Sequence, residues 1–179
     1  MPAETTYTLE ALEEFYRAAA HRMGSGRYLA LRVGYLLGGA ALIAAGVYYM
    51  GQVFLAGDWD IVTVALALLC LVLGVQVFWM GVSFYHFYAR RAMKSLPENA
   101  RRNYYRFEDN QIVISNRGKS TSFPYEQFGV IYETEKRFLL YINAYNGYIL
   151  EKSGLKDTTP EALRNFLNAK REDPVEPLA

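Results

Sequence analysis

Two acidic motifs carry the residue types best suited to chemistry. In Gly57-Asp58-Trp59-Asp60, carboxylates one residue apart interrupt a long uncharged stretch, and no other Asp, Glu, Lys or Arg lies between Arg32 and Arg90. Paired carboxylates at a membrane mouth can hold a cation or pass a proton. In Glu133-Thr134-Glu135-Lys136-Arg137 a second pair at strand spacing would share one face, as an acid and a base must. Cys70 offers a lipidation or redox site, and His86 a proton relay. None of these residues meets a chemical partner. There is no glycine loop to cradle a phosphate and no metal-ligand spacing. A single cysteine excludes an internal disulfide and a cysteine metal cluster. The plainer reading makes Asp58 and Asp60 hydrated loop residues and Glu133 to Arg137 a charged hairpin end. Cys70 then fills apolar space, and His86 sits at an interface among Phe84, Tyr85, Phe87 and Tyr88. No catalytic residue, metal site or cofactor is assigned, and the chain is read as a non-enzyme.

The elements that position these residues follow from charge spacing. The chain has 179 residues and a net charge of +1, but its apolar residues are concentrated in one block. Val33 to Gly57 and Ile61 to Ala89 contain no Asp, Glu, Lys or Arg. Each run exceeds the ~20 residues that cross a bilayer core at about 1.5 Å rise per residue. The first run is too long for the apolar core of a cleaved signal, and a small soluble domain cannot wrap two helices apolar on every face. A membrane helix is expected at 28–57, a turn at 58–60 and a second helix at 61–89. Trp59 is the interfacial anchor, with Tyr48, Tyr49 and Phe54 nearby. Arg17, Arg22, Arg27 and Arg32 precede the first span and Arg90, Arg91, Lys94, Arg101 and Arg102 follow the second, whereas the turn has no Lys or Arg. This bias places both termini in the cytoplasm of a multi-pass protein of the cell membrane. Small-residue pairs Gly34/Gly38, Ala40/Ala44 and Ala41/Ala45 form the expected helix-packing face, with Gln76 available for a hydrogen bond to the partner helix or another copy. Two spans with one strongly polar side chain deep in the second, Gln76, do not make a channel, so the hairpin reads as an anchor in the lipid bilayer.

Residues 1–27 form a cytoplasmic leader. Thr5 to Thr8 suggests a short strand. Leu9, Leu12, Tyr16, Ala19 and Met23 recur at helical spacing, with Glu10, Glu13, Glu14 and Arg17 between them. The acidic face argues for docking on the protein's own domain rather than on lipid. Residues 90–102 are a basic linker, in which Arg90, Arg91, Lys94, Arg101 and Arg102 are candidate contacts to anionic headgroups. From Asn103 the pattern becomes short strands: YYRF, QIVIS, STSFPY, GVIYET, RFLLYINA and GYILEK. Thr159 as N-cap and Pro160 at the first helical position open a final helix with Leu163, Phe166 and Leu167 on one face. The domain spans 103–171, and 172–179 is expected to be a disordered tail.

These features together resemble the YcxB-like bacterial membrane proteins. The opening YTLEALEEFYR, the apolar hairpin, YYRFEDNQIVISN, FPYEQFGVIYET and GYILEK carry the resemblance. It implies an α+β membrane protein: a two-helix transmembrane hairpin plus a small pleckstrin-homology-like β-roll closed by a C-terminal helix. It implies no activity, the family having none established. Phosphoinositide-binding members of that wider fold use basic residues around the first hairpin, whereas the turn Glu108-Asp109-Asn110 is acidic. Arg117 and Lys119 flank the next turn. The expected function is a non-catalytic, membrane-anchored module presenting its domain to a protein partner, with Tyr104, Tyr125, Tyr132, Tyr141, Tyr145 and Tyr148 available to line a groove. The alternatives are an anionic-lipid sensor and a self-associating or accessory subunit of a larger complex. No nucleic-acid partner is expected.

Overall fold

The computed structural model describes residues 1–22, 26–57, 59–143 and 146–178, without the side chains of His21, Arg22 and Arg27. The expectations placed on Met23, Asp58, Tyr145 and those three side chains lie outside the described residues. The chain divides into two units, Met1–Gly24 with Tyr88–Ala179, and Ser25–Phe87.

The smaller unit is a helical hairpin. α2 spans Gly26–Ala56 and α3 spans Ile61–Val82; α1, Leu9–Arg22, belongs to the other unit. Both are long and apolar enough to cross a membrane, and only 11% of the most apolar window of each is buried. A core helix of a soluble protein would be mostly covered, so length here is matched by exposed apolar surface. The acidic turn organises the helix ends. Gly57, at φ +67°, adopts the left-handed conformation that follows a helix C-terminus, and its N–H reaches Val53 O at 3.1 Å. Asp60 caps α3: its Oδ2 accepts from Thr63 N at 2.9 Å and Thr63 Oγ1 at 2.8 Å. Trp59 is exposed and meets Phe54 edge to face, with ring centroids 5.2 Å apart.

The fully buried positions of α2 are Gly39, Gly46 and Val53, and those of α3 are Ala67, Gly74 and Gly81. Each set repeats every seven residues, the period of antiparallel coiled-coil packing. A Cβ on Gly39 would lie 2.5 Å from Phe78 N, and one on Gly74 would lie 2.8 Å from Ile43 N. The backbones therefore touch where side chains are absent. The small residues expected to form a packing face are not the ones between α2 and α3. A methyl group placed on Gly34 or Gly38 would meet nothing within 4 Å, Ala40, Ala41 and Ala44 are exposed, Ala45 is half-buried, and Gln76 lies on the outer side of α3. Gly38 is one residue, or about 100°, around the helix from the contact stripe. The second apolar run also differs from expectation. It breaks at Ser83, whose N–H caps Trp79 O at 2.9 Å, and a new helix α4 runs Phe84–Ser95. The expected span 61–89 is thus two helices, and the expected linker 90–102 is helical through Ser95. An absence of charge does not register such a break.

The larger unit is built from both sides of the hairpin. Its first sheet has the order β1-β2-β3-β4, with β1 at Pro2–Thr6, β2 at Arg102–Phe107, β3 at Gln111–Asn116 and β4 at Lys119–Pro124. β1 pairs antiparallel with β2, Ala3 opposite Tyr105 and Thr5 opposite Asn103. The strand lies earlier than the expected Thr5 to Thr8, because alternate inward residues Ala3 and Thr5 are the ones buried. The first connection of the sheet is therefore residues 7–101, and the acidic turn Glu108-Asp109-Asn110 is the second. At the β3–β4 turn, Arg117 (φ +53°) and Gly118 (φ +72°) both take positive φ, the geometry of a two-residue type I′ hairpin.

The second sheet has the order β7-β6-β5-β8, from β5 at Val130–Glu133, β6 at Arg137–Asn143, β7 at Asn146–Glu151 and β8 at Glu176–Pro177. Both its faces are covered, which explains why β6 is buried continuously from Arg137 to Tyr141. Phe138 and Leu140 join Ile112, Ile114, Ile131 and the helix α5, Pro160–Lys170, in one core. Leu139 and Tyr141 join Ala11, Leu12 and Phe15 of α1, Leu9–Arg22, and Ala89 of α4 in another. Leader and domain thus fold as one body, and residues 1–22 of the expected 1–27 leader are not a separate part. The tail is likewise structured: β8 pairs with β5 and Val175 is 8% exposed. Polarity and proline hid one aliphatic residue with a place in the core. Thr159 caps α5 by accepting from Ala162 N at 3.2 Å, with Pro160 next.

Candidate functional site

The larger unit contains an open cavity of about 740 Å³ between α1, the end of α4, the β3–β4 turn and the β6–β7 hairpin. Leu12, Phe15, Leu96, Ile142 and Tyr148 give it an apolar wall. Tyr7, Asn103, Asn116 and Arg117 supply polarity, and no Asp or Glu is among the described lining residues. Asn103 is 3% exposed; its Oδ1 accepts from Asn116 Nδ2 at 2.7 Å, while its own Nδ2 is buried without a partner. The polar end therefore combines a spare amide donor with the guanidinium of Arg117. Tyr105 OH donates to Ile149 O at 2.8 Å, and Tyr7 OH accepts from Ile149 N at 3.3 Å. Burial pushes the Tyr7 hydroxyl up to about 12 and raises that of Tyr105 well above its ordinary value. Both phenols stay neutral at physiological pH and act as hydrogen-bonding groups, not bases.

Gly147 gives the cavity its shape. A Cβ there would collide with Leu140 O and lie 3.0 Å from Phe15 Cε2. A side chain would push α1 off the hairpin. In sequence this glycine reads only as a turn residue; the approach of Phe15, more than a hundred residues away, is a tertiary fact.

The five predicted headgroup contacts separate into two groups. Arg90, Arg91 and Lys94 are exposed on α4. Arg101 instead donates to Met93 O and Leu96 O, both at 3.3 Å, and closes the C-terminal end of α4. Arg102 pairs with Glu4 and lies over the Tyr104 ring, 5.4 Å from its centroid. Two of the five thus hold the domain together.

Glu133 and Glu135 do not share a face as an acid and base would. Glu133 ends β5 and is buried, whereas Glu135 is exposed in the following turn. Glu133 receives both Arg164 and Lys152, with Arg164 Nη2 at 2.8 Å and Lys152 Nζ at 2.7 Å. Burial alone would raise its carboxyl pKa, but the Arg164 and Lys152 hydrogen bonds outweigh it and hold the group below the usual range. Arg137, also buried, binds Glu14 of α1 and Glu151 of β7, the latter at 3.3 Å. These ion pairs fasten helices to the sheet. Among the described residues, no group of three His, Cys, Asp or Glu could hold a metal ion.

Residues 107–167 match the family model described as YcxB-like protein. The strand-rich part carries a YcxB-like domain. The match runs from the end of β2 into α5, so β1, α1, α4 and the tail lie outside it. No curated protein and no solved structure matches the chain.

Proposed function

We propose that this YcxB-like protein is a non-catalytic, membrane-anchored interaction module, and that its cavity takes an acidic, partly apolar segment of a protein partner. The observation carrying this reading is the composition of the cavity: an apolar wall, a spare buried donor and a cation, with no described carboxylate to oppose an acidic ligand. A pleckstrin-homology-like architecture is the finer reading of the fold. It is supported by a four-stranded sheet facing β5, β6 and β7, with α5 against the core. In this reading both spans cross the cell membrane and both termini are cytoplasmic. Arg17, Arg32, Arg90, Arg91 and Lys94 flank the apolar helices, and the intervening turn has no Lys or Arg. The chain leaves the domain after α1 and re-enters it before β2, so two covalent tethers would hold the module at the bilayer.

The test is a photoreactive residue placed at Ile142, in the cavity, or at Asn165, on the exposed side of α5. In native membranes the 142 position should give a protein adduct that the 165 position does not, and Arg117→Glu should weaken it. Adducts to lipid alone, or equal yields at both positions, would overturn the reading. A second reading, attraction to anionic lipid, is supported by Arg90, Arg91 and Lys94 on α4. It predicts salt-sensitive binding to anionic vesicles, lost when all three are neutralised.

A further inference from the structure

The chain's last residues close the outer edge of β5. β8 lies parallel to it, Tyr132 opposite Glu176 and Glu133 opposite Pro177. Leu178 N–H donates to Glu133 O at 2.7 Å, and Val175 N–H to Asn168 Oδ1 on α5, also at 2.7 Å. Val175 belongs to the same core as Ile131, Leu163 and Leu167, and Leu178 packs against the second core. At the root of this strap, Arg171 Nη2 donates to Phe128 O at 2.7 Å.

The strap holds this edge by little. Only two residues pair, and Pro174 and Pro177 have no N–H to donate. β5 runs from Val130 to Glu133, so half of its outer edge makes no ladder to the tail. A strand edge of this kind is a template for an added strand, and main-chain pairing with one seated side chain is a recognised way to bind an extended peptide. The tail itself shows which chemistry fits: an aliphatic residue beside proline, with acidic neighbours Glu172, Asp173 and Glu176.

We propose that the groove between β5 and α5 is an acceptor site for an extended, proline-flanked aliphatic segment of a partner protein, and that residues 172–178 are a strap closing it in cis. The site shares no lining residue with the cavity described above, and it stands or falls separately. A labelled peptide of residues 171–179 is titrated onto the native chain, a chain ending at Arg171 and the full chain carrying Val175→Asp, all in detergent micelles. Both altered chains should bind the peptide, and the native chain at least about tenfold more weakly, because a tethered competitor acts at high effective concentration. A peptide with the Val175→Asp change should not bind. Equal binding to native and altered chains, or none to an altered chain that still melts cooperatively, overturns the proposal. A tail-dependent dimer of the native chain in light scattering also overturns it, since the segment would then come from a second copy.

Discussion

Replacing Phe15 by alanine measures how much α1 contributes to the domain. Phe15 is 5% exposed, and its ring stacks on that of Tyr141 with centroids 4.3 Å apart and planes 19° from parallel. Removing a buried phenylalanine ring costs about 3–5 kcal/mol, including the cavity it leaves, and the stacked pair accounts for about 0.5–1.5 kcal/mol of such losses. Among the ties that remain are Tyr141 OH to Phe15 O at 2.5 Å, a backbone contact the substitution leaves in place, the Arg137–Glu14 pair, and Glu10 with Lys136 and Arg137. The lower end of the range is therefore expected, about 3 kcal/mol. At about 1.4 kcal/mol per tenfold, α1 should open more than a hundred times as often. Hydrogen exchange on the full chain in micelles reads this directly: amides of Leu9–Arg22 should exchange faster by that factor, and those of β6 should follow as their outer face is uncovered. Phe15→Leu, which keeps most of the volume, should cost less than about 1.5 kcal/mol. Unchanged exchange in α1 of the alanine variant would refute the claim that this helix is a layer of the domain, and would favour a helix lying on lipid.

Two further outcomes are expected. In the hairpin, Gly39→Ala should destabilise the helix pair by about 1–3 kcal/mol, because its methyl group meets backbone atoms that cannot move aside, whereas Gly38→Ala should stay within about 0.5 kcal/mol. Thermal unfolding of both in micelles checks this, and equal losses would restore Gly34/Gly38 as the packing face. In the domain, Glu133→Gln should cost about 1–2 kcal/mol at neutral pH, a charged hydrogen-bond loss discounted for its partly exposed partners. Because the folded carboxyl titrates below its unfolded value near ~4.3, that stabilisation is complete at neutral pH. It disappears as pH falls from about 4.3 through the folded value. The melting-temperature gap between the two chains should therefore narrow in acid, and a gap constant from about pH 7 to about pH 3 would show that the ion pairs contribute nothing.

What could be read in the sequence was local and periodic. The six strands from YYRF to GYILEK, the Thr159-Pro160 helix start and the two apolar runs each announce themselves within a dozen residues or by simple absence of charge. What escaped reading depends on distant partners. Arg101 looks like one more cation before the strands, until Met93 and Leu96 present their carbonyls to it. Gly39 and Gly38 are indistinguishable by composition, and only the facing Phe78 backbone makes one of them indispensable. Val175 lies in a polar, proline-containing stretch whose composition matches disorder, yet two hydrogen bonds and one buried side chain seat it. For the candidate site, Tyr148 is the one described tyrosine of those expected in a groove that lines the cavity, since Tyr125, Tyr132 and Tyr141 are buried in the cores and Tyr104 is exposed on β2. The unpartnered Asn103 amide depends on Asn116 of β3, and the tight fit at Gly147 arises only where Phe15 of α1 meets the β6–β7 hairpin.

The position of β1 has a consequence for how the domain forms. Thr6 must pair with Arg102 across the whole hairpin, a separation that would ordinarily make the first strand slow to find its place. The hairpin shortens that search. Leu36 meets Gly81, Gly39 meets Phe78, Ile43 meets Gly74 and Gly46 meets Leu71, so α2 and α3 run antiparallel and return the chain to where it left. Loop-closure cost grows only as the logarithm of the free length, and helices already paired leave just the segments around α1 and α4 to be ordered. The tight glycine seam thus acts on the domain as well as on the helix pair: by joining the two ends of the insert, it lets a strand made before the hairpin complete a sheet made after it.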